Sequence, residues 1–373
     1  MAPPSILDLF LELCAISSPP GAERPVADRV LGYLRLLGLE PDEDDAGARI
    51  RSTAGNVYAR LPATAPGTPI FLCAHLDTVP PTGPIEPVVG DDGVVRNAAG
   101  TILGADNKAA VVAMLAAARQ VLAEGRPHAG IELVFTPKEE VGLQGAGAFD
   151  EGRLEARVGY VFDQAAPIGE IILGAPFAHT LEARFHGRAS HAGMYPEEGR
   201  SAIVAAARAI ADLRLGRLDE LTTANIGTIE GGIARNIVPE WCTLKAEARS
   251  HDERRLTETV QEMLDAFAFA ATVSDCTVET EVSEQYRGYR FRPDDLPVRL
   301  AAEALRRTGF EPSTTLSGGG ADANVFNARG LRCVNLANGM TDIHTPDERI
   351  AVVDLEGMVE VTLALVDAAR ETA

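Results

Sequence analysis

Short apolar strands alternate with helices over the first part of the chain. The runs 69–79, 131–137 and 158–163 are short, apolar and bounded by turn residues, which is typical of buried strands. The alanine-rich segment 107–122 indicates a helix after the first of these strands, and Asp106 stands where the N-cap of that helix would be. Because strands that alternate with helices form parallel sheets, the pattern predicts an α/β domain with a mostly parallel sheet.

The pattern changes near residue 177. Strands with alternating apolar and polar residues and two helices follow in the order β-α-β-β-α-β, which is the ferredoxin-like or split βαβ arrangement. From about residue 289 the strand–helix alternation of the first part resumes. We therefore expect an α/β domain formed by residues 1–176 and 289–373, interrupted by an inserted α+β domain at 177–288.

The chain is strongly acidic, with 54 Asp and Glu residues against 34 Lys and Arg residues and a formal net charge of −20. Nucleic-acid-binding proteins carry basic patches, and anionic membrane surfaces repel negative charge, so we expect neither as a partner. No run of roughly 18 apolar residues, the length that a membrane span needs, is present in the sequence. The N-terminus lacks the basic start of a signal peptide, and the five cysteines are scattered without a CxxC pair. These features predict a protein of the reducing cytoplasm.

Residues that commonly bind metals follow the predicted strands at their carboxyl ends. They are His75, Asp77, Asp106, Glu139, Glu140, Asp163 and His344. In open α/β sheets, ligands bind beyond those strand ends, where residues from distant parts of the sequence meet. Histidines and carboxylates without cysteine suit zinc, cobalt or manganese, so the pattern predicts a metal site at this edge of the sheet.

Each of these residues also has a simpler interpretation when it is taken alone. A single histidine is commonly a surface or core residue, the Glu139–Glu140 pair could be solvated, and Asp106 could only cap a helix. Together they are harder to explain in that way. Asp77 is two residues from His75 on one strand face, where it could orient the imidazole. Buried carboxylates cost free energy unless a cation compensates their charge.

Seven segments of the chain resemble the M20 family of metallopeptidases, and specifically its peptidase T-like (tripeptide aminopeptidase-like) branch. They occur in the family's order and extend over nearly the whole chain: FLCAHLDTVP, TILGADNKAA, TPKEEVGLQGA, HGRASHAGMYPEEGRSAI, EGGIARNIVPE, SGGGADANVF and IHTPDE. The resemblance implies a zinc-exopeptidase-like catalytic domain, with the inserted domain as a lid and dimerisation domain. It also implies a homodimer that forms through the lid.

The resemblance implies a site for two divalent metal ions, Zn²⁺ or alternatively Co²⁺ or Mn²⁺. Its ligands would be His75, Asp106, Glu140, Asp163 and His344. Asp106 would bridge the two ions, with His75 and Asp163 on one ion and the remaining two ligands on the other. Asp77 would orient the imidazole, and Glu139 would be the general base that moves a proton from the attacking water to the leaving amine.

The resemblance also assigns roles to residues of the inserted domain. His191 would reach the active site of the partner subunit and stabilise the tetrahedral oxyanion. Asn236 and Arg249 would contact the substrate, the arginine by binding a carboxylate with its planar fork; a plain surface charge at a strand end is the alternative for Arg249. The amides around Gly319 in SGGGADAN could contact the substrate backbone, or this segment is only a strand-to-helix turn.

These features indicate a metal-dependent aminopeptidase that acts on short peptides. Asp163 favours this function, because the resemblance places aspartate here in peptidase T-like members and glutamate in many carboxypeptidases and desuccinylases. An N-acyl amino acid amidohydrolase or carboxypeptidase with the same metals is the first alternative, and a non-catalytic, metal-stabilised scaffold is the second. Lys138 precedes the expected base and either lowers the pKa of Glu139 or is a solvated surface lysine.

Overall fold

The computed structural model describes residues 4–372, which fold into two compact units. The larger unit comprises the chain up to Gly174, the segment Arg290–Ser317 and the residues from Ala321 onward. The inserted unit comprises Ala175–Tyr289 together with the loop Gly318–Gly320. The chain therefore enters the inserted unit in one long segment and returns to it in one short loop.

The strands and helices have the following bounds. The strands are β1 (Asp42–Glu43), β2 (Val57–Leu61), β3 (Ile70–His75), β4 (Pro87–Val89), β5 (Val94–Asn97), β6 (Ile131–Thr136), β7 (Val158–Gln164), β8 (Glu170–Ala175), β9 (Phe177–His186), β10 (Gly216–Asp219), β11 (Thr222–Gly231), β12 (Trp241–Ser250), β13 (Thr277–Tyr286), β14 (Tyr289–Arg290), β15 (Ser313–Leu316), β16 (Arg332–Ala337) and β17 (Arg349–Ala351). The helices are α1 (Ile6–Ala15), α2 (Arg24–Leu36), α3 (Ala46–Ile50), α4 (Ala105–Glu124), α5 (Gln144–Ala148), α6 (Ala202–Asp212), α7 (Glu253–Val273), α8 (Leu296–Arg307), α9 (Asp322–Ala328) and α10 (Val352–Arg370). Within residues 4–372, no helix has the length and apolar character that crossing a membrane requires.

Parallel strands form the centre of the main sheet of the larger unit. The strand order is β1-β2-β6-β3-β7-β16-β8-β14, and β15 pairs with β8. The central strands β6-β3-β7-β16 are parallel, whereas β2 and β8 pair with this centre in antiparallel fashion. Every residue of β3 and β6 is buried, which is the pattern of parallel strands with both faces covered. The predicted α/β fold with a mostly parallel sheet is confirmed.

Helix α4 differs from the prediction at its first turn. Asp106 (φ −81°, ψ 104°) and Asn107 (φ −119°, ψ 32°) have non-helical backbone angles, and Gly104 occupies the N-cap position. The prediction that Asp106 caps this helix is therefore wrong. The carboxylate oxygens of Asp106 face the imidazoles of His75 and His344 instead of the amides of the helix.

The inserted unit is an antiparallel sheet that helices α6 and α7 cover. Its strand order is β10-β11-β12-β9-β13. Alternate residues of β12 are buried, because one face of the sheet packs against the helices. Without β10, this is the ferredoxin-like order predicted from the sequence, so the α+β fold of this unit is confirmed. Strand β10 is an additional edge strand that pairs with Thr222–Ala224 at the start of β11.

The loop Gly318–Gly320 packs with the inserted unit, although the chain on both sides of the loop belongs to the larger unit. A Cβ atom on Gly320 would lie 2.5 Å from the ring of Tyr286. A residue with a side chain would therefore clash with the ring, and glycine permits the close approach of the backbone.

Candidate metal centre

Asp106 lies between two histidines. Its Oδ1 is 3.2 Å from Nε2 of His75, and its Oδ2 is 3.2 Å from Nε2 of His344. Asp106 and His75 are buried, whereas 46% of the His344 side chain is exposed. A single carboxylate thus contacts both imidazoles through different oxygens.

Two groups of possible metal ligands share Asp106. His75 and Asp163 complete the first group, and Oδ1 of Asp163 is 3.5 Å from Nε2 of His75. Glu140 and His344 complete the second group, and Oε2 of Glu140 is 3.1 Å from Nε2 of His344. Within each group, one donor atom from every residue lies within 4.8 Å of the others. The structure therefore brings together all the residues that were predicted as ligands.

The ends of neighbouring strands place most of these side chains. His75 is the last residue of β3, Asp163 lies near the end of β7, and Glu139 and Glu140 follow β6. Because β6, β3 and β7 are adjacent and parallel, their carboxyl ends meet at one edge of the sheet. His344 comes from the loop after β16, which is the other neighbour of β7.

Asp77 supports this site through both its backbone and its side chain. Nδ1 of His75 lies 2.8 Å from the backbone oxygen of Asp77, so this nitrogen donates a hydrogen bond and Nε2 is left to face Asp106. The carboxylate of Asp77 accepts hydrogen bonds from the amides of Glu139 (2.9 Å) and Glu140 (3.1 Å), and its Oδ1 is 3.6 Å from Nδ1 of His75. Asp77 thus orients the imidazole chiefly through its carbonyl, while its carboxylate holds the Glu139–Glu140 loop.

Glu139 is buried beside the ligands and, within residues 4–372, belongs to neither ligand group. Burial raises the pKa of its carboxyl well above the usual value, and the negative charge of Asp163 raises it further. Nζ of Lys138 donates a hydrogen bond to the backbone oxygen of Ile50, 2.9 Å away, and an effect of its charge on the pKa of Glu139 stays a prediction. Lys138 is half-buried, and this hydrogen bond distinguishes it from a fully solvated lysine.

Negative charge is concentrated in this cluster. Burial raises the pKa of Asp163 to about 7, and hydrogen bonds with Asp106 and Glu140 raise the pKa of His344 to about 10. Burial alone would lower the pKa of His75, but the charge of Asp163 and hydrogen bonds with neighbouring carboxylates raise it well above its usual value. The raised pKa values of these carboxyl and imidazole groups mean that the cluster favours added positive charge.

Residues 71–368 match the profile of peptidase family M20/M25/M40. The chain belongs to this family. It is 26% identical to Peptidase T of Escherichia fergusonii, over 99% of this chain and 98% of that protein. Its fold is similar to that of aminopeptidase PepT from Bacillus cereus ATCC 10987, with 38% identity, 98% of both chains covered and a TM-score of 0.88. A tripeptidase from Staphylococcus aureus subsp. aureus mu50 has 36% identity, the same coverage of both chains and a TM-score of 0.93. The resemblance to peptidase T-like M20 proteins is confirmed.

In this M20 chain, His191 and Asn236 lie together on exposed segments of the inserted unit. The amide of Ala192 donates a hydrogen bond to the backbone oxygen of Asn236 at 3.0 Å. Nδ1 of His191 accepts hydrogen bonds from the amides of Gly193 (3.2 Å) and Met194 (3.1 Å). Because Nδ1 is an acceptor, the neutral imidazole carries its proton on Nε2 and can donate it.

Arg249 and the loop that contains Gly319 are neighbours within the inserted unit. Nη2 of Arg249 is 2.9 Å from Oε2 of Glu247, and Nη1 is 3.5 Å from the backbone oxygen of Gly318. The guanidinium group is therefore half-buried and paired with an acidic side chain. A substrate carboxylate at Arg249 would compete with Glu247 for the same donors.

Asp322 was missed in the sequence, although it lies within the M20 segment SGGGADANVF. Its side chain is buried, and its Oδ2 accepts a hydrogen bond from Oγ1 of Thr136, the last residue of β6. Its Oδ1 is buried without a hydrogen-bond partner among residues 4–372, and burial raises the pKa of Asp322 to about 6. The available signal was an acidic residue in a segment for which the sequence predicted only backbone contacts or a turn.

Proposed function

We propose that the chain is a metal-dependent aminopeptidase that removes the N-terminal residue of short peptides. The observation that carries this proposal is that Asp106 belongs to both ligand groups, while Glu139 is buried beside them and, among the described residues, belongs to neither. The similar solved structures include an aminopeptidase and a tripeptidase, which favours peptides with a free α-amine as substrates. An aspartate at position 163 favours the same class of substrate.

The donor atoms of the two groups suit two divalent cations. The group of His75 would hold one ion and the group of His344 the other, with Asp106 shared between them. Imidazole and carboxylate donors without thiolates suit Zn²⁺, and also Co²⁺ or Mn²⁺. When bound, two such ions polarise the scissile carbonyl and offset the negative charge that develops during amide hydrolysis.

Glu139 is the residue that moves the proton in this proposal. Its carboxylate accepts a proton from the attacking water and gives it to the leaving amine, so that it acts first as a base and then as an acid. Burial raises the pKa of Glu139 well above its usual value, and a carboxylate with a raised pKa is a stronger base than a solvated one. The hydrogen bond from the Glu139 amide to Asp77 keeps the carboxylate in position.

Residues of the inserted unit complete the proposed mechanism. Nε2–H of His191 donates to the tetrahedral oxyanion, and in a homodimer formed through this unit it does so in the active site of the partner subunit. Arg249 binds a carboxylate of the substrate and Asn236 also contacts the substrate, while the amides around Gly319 contact its backbone. We place the protein in the cytoplasm, because its five cysteines are free thiols, as a reducing compartment keeps them.

A hydrolysis screen tests this function. The protein is loaded with zinc, cobalt or manganese and incubated with leucyl-glycyl-alanine, with the N-acetylated form of this tripeptide and with N-acetyl-leucine. We expect free leucine from the unblocked tripeptide alone, because an aminopeptidase requires a free α-amine at the bond that it cleaves.

The other outcomes identify the alternatives. Release of alanine from the N-acetylated tripeptide would indicate a carboxypeptidase, and hydrolysis of N-acetyl-leucine would indicate an N-acyl amino acid amidohydrolase. Metal binding without hydrolysis of any of these compounds would indicate a non-catalytic scaffold.

A further inference from the structure

Glu348 is a buried carboxylate that accepts hydrogen bonds from three backbone amides. Its side chain is 2% exposed. Oε2 accepts hydrogen bonds from the amides of Leu103 and Gly104, both at 2.8 Å, and Oε1 accepts one from the amide of Asp106 at 2.9 Å. These bonds compensate the loss of hydration that burial imposes on the charge. They also attach Glu348 directly to the backbone of the residue that both ligand groups share.

Glu348 belongs to the same loop as His344. Reciprocal backbone hydrogen bonds close this loop, from the Thr341 amide to the Arg349 oxygen (3.0 Å) and from the Arg349 amide to the Thr341 oxygen (3.1 Å). The carboxylate of Glu348 therefore joins the loop that carries His344 to the turn that carries Asp106. The same loop and turn are connected a second time by the contact between the side chains of His344 and Asp106.

The turn that contains Asp106 needs such support, because the hydrogen bonds of α4 do not begin there in a regular way. Gly104 has a positive φ of 77°, and the two residues after Ala105 have non-helical angles. Lys108 is buried near the same turn, and its ammonium group donates a hydrogen bond to the backbone oxygen of Ile16. Glu348 supplies acceptors for the amides that the helix leaves without them.

We propose that Glu348 is a positioning residue that fixes Asp106 relative to His344, and thereby holds the ligand group of Asp106, Glu140 and His344 in its arrangement. This inference rests on the proposed metal site. Glu348 acts through the backbone of Asp106 and contacts neither the substrate nor the ions. Loss of an outer residue that orients a ligand typically weakens metal binding by about 10–100-fold.

The substitution E348Q tests this role. Glutamine has nearly the same shape, but one of its two terminal groups is an NH₂ that cannot accept the amide hydrogen facing it. The zinc-loaded, full-length protein is mixed with a chromogenic chelator, and the rate of zinc transfer is measured. Hydrogen exchange of the amides at 103–106 is measured in the same samples.

Glu132 offers a matched control in the same unit. It is also 2% exposed, and it also accepts three hydrogen bonds, from the hydroxyl of Tyr58 (2.7 Å) and the amides of Glu155 (3.1 Å) and Ala156 (2.8 Å). It lies near the start of β6, whereas the ligands lie beyond the other end of that strand. Both E132Q and E348Q should therefore lower Tm. Only E348Q should change the rate of zinc transfer and the hydrogen exchange of the 103–106 amides.

We expect zinc transfer to be about 10–100-fold faster in E348Q and within about twofold of the wild-type rate in E132Q. If E348Q releases zinc at the wild-type rate, or if E132Q accelerates release equally, Glu348 has no positioning role. If the wild-type protein retains neither zinc, cobalt nor manganese after gel filtration, the proposed metal site is wrong, and the role of Glu348 is overturned with it.

A second substitution covers the case in which E348Q does not fold. E348D keeps the buried charge, but its side chain is one methylene shorter and cannot reach all three amides at once. We expect it to release zinc faster than the wild-type protein and to expose the 103–106 amides to exchange. Wild-type behaviour of E348D in both measurements would contradict the proposal.

Discussion

The carboxylate of Asp77 accepts a hydrogen bond from the backbone amide of Glu139 at 2.9 Å. It also accepts the amide of Glu140 at 3.1 Å, so it ties the proposed base and a proposed ligand to the end of the strand that carries His75. In D77N, one of the two oxygens becomes an NH₂ group, and one amide loses its acceptor. We expect kcat for leucyl-glycyl-alanine to fall by roughly 10- to 100-fold, with a smaller change in KM.

Asp92 provides the control for this substitution. Its Oδ1 accepts the amide of Val94 at 3.1 Å and its carboxylate pairs with Arg96, but it lies exposed in the turn between β4 and β5. D92N should therefore keep the kcat of the wild-type protein. Equal losses in D77N and D92N would mean that the Asp77 contacts have no specific effect on turnover.

Glu139 and Glu140 are adjacent in sequence but should respond differently to substitution. E139Q removes the proposed base and leaves both ligand groups complete, so kcat should fall by about 10²–10⁴-fold while the metal is retained. E140Q removes a ligand from the group of His344 and should reduce the bound metal. Metal analysis after gel filtration, together with steady-state kinetics, distinguishes the two effects. Activity of E139Q within a few-fold of wild type would assign the base to another residue.

Removal of metal should lower the thermal stability of the protein. Asp106 and Glu139 are buried close to Asp163, and cations that bind only the folded chain stabilise it by mass action. Zinc at about 100 times its Kd would contribute about 2.7 kcal/mol to the free energy of unfolding. We expect EDTA to lower Tm in differential scanning fluorimetry and zinc to restore it. An unchanged Tm after verified loss of metal would argue against a site in this cluster.

His191 should affect turnover rather than folding. Its side chain is on an exposed segment, so H191A should leave Tm unchanged, while loss of the proposed oxyanion donor should lower kcat by about 10²–10³-fold. His186 is the control within the same unit, because its imidazole is 3.3 Å from Glu240 and stacks on Trp241. H186A should keep wild-type kcat. Light scattering would report the oligomeric state, and a fully active monomer would exclude donation from a partner subunit.

His128 should give the protein a pH-dependent stability away from the metal centre. Its imidazole is buried, Nδ1 accepts the amide of Gly130 at 3.3 Å, and burial lowers the pKa of His128 from its usual 6.5. The unfolded chain therefore binds this proton at a higher pH than the folded chain does. The contribution of His128 to the free energy of unfolding is fully present above about pH 6.5. It is lost as the pH falls through the lower pKa of the folded state.

The substitution H128N isolates this effect. The asparagine oxygen can accept the same amide, but the side chain does not titrate. Urea unfolding between about pH 5 and pH 7.5 should show that the wild-type protein loses more free energy of unfolding on acidification than H128N does. Parallel pH curves for the two proteins would rule out a contribution from His128.

The centre of the fold could be predicted because burial on both faces leaves a simple sequence pattern. Strands β3 and β6 are continuous apolar runs, and parallel strands end at one edge of a sheet. Ionisable residues directly after such runs, as at His75, Glu140 and Asp163, had to meet there. The M20 segments then indicated how those residues divide into two groups.

Other features depend on backbone geometry that a sequence pattern does not specify. Aspartate before a helix is normally a cap, but the non-helical angles at Asp106 turn its carboxylate towards two imidazoles. The partner of Lys138 is a carbonyl from a distant helix, which only the folded chain brings near. Strand β10 is short and mostly exposed, so it has no apolar alternation to reveal it.

The loop Gly318–Gly320 has a consequence for anyone who recombines M20 chains. It follows β15 of the larger unit, yet it packs with the inserted unit, where Gly320 leaves no space for a side chain beside Tyr286. A chimera that exchanges only residues 175–289 would import Tyr286 and leave behind the glycine that fits it, Gly320. The inserted unit therefore cannot be exchanged as one continuous segment, because a working exchange also requires residues 318–320 as a second exchanged segment.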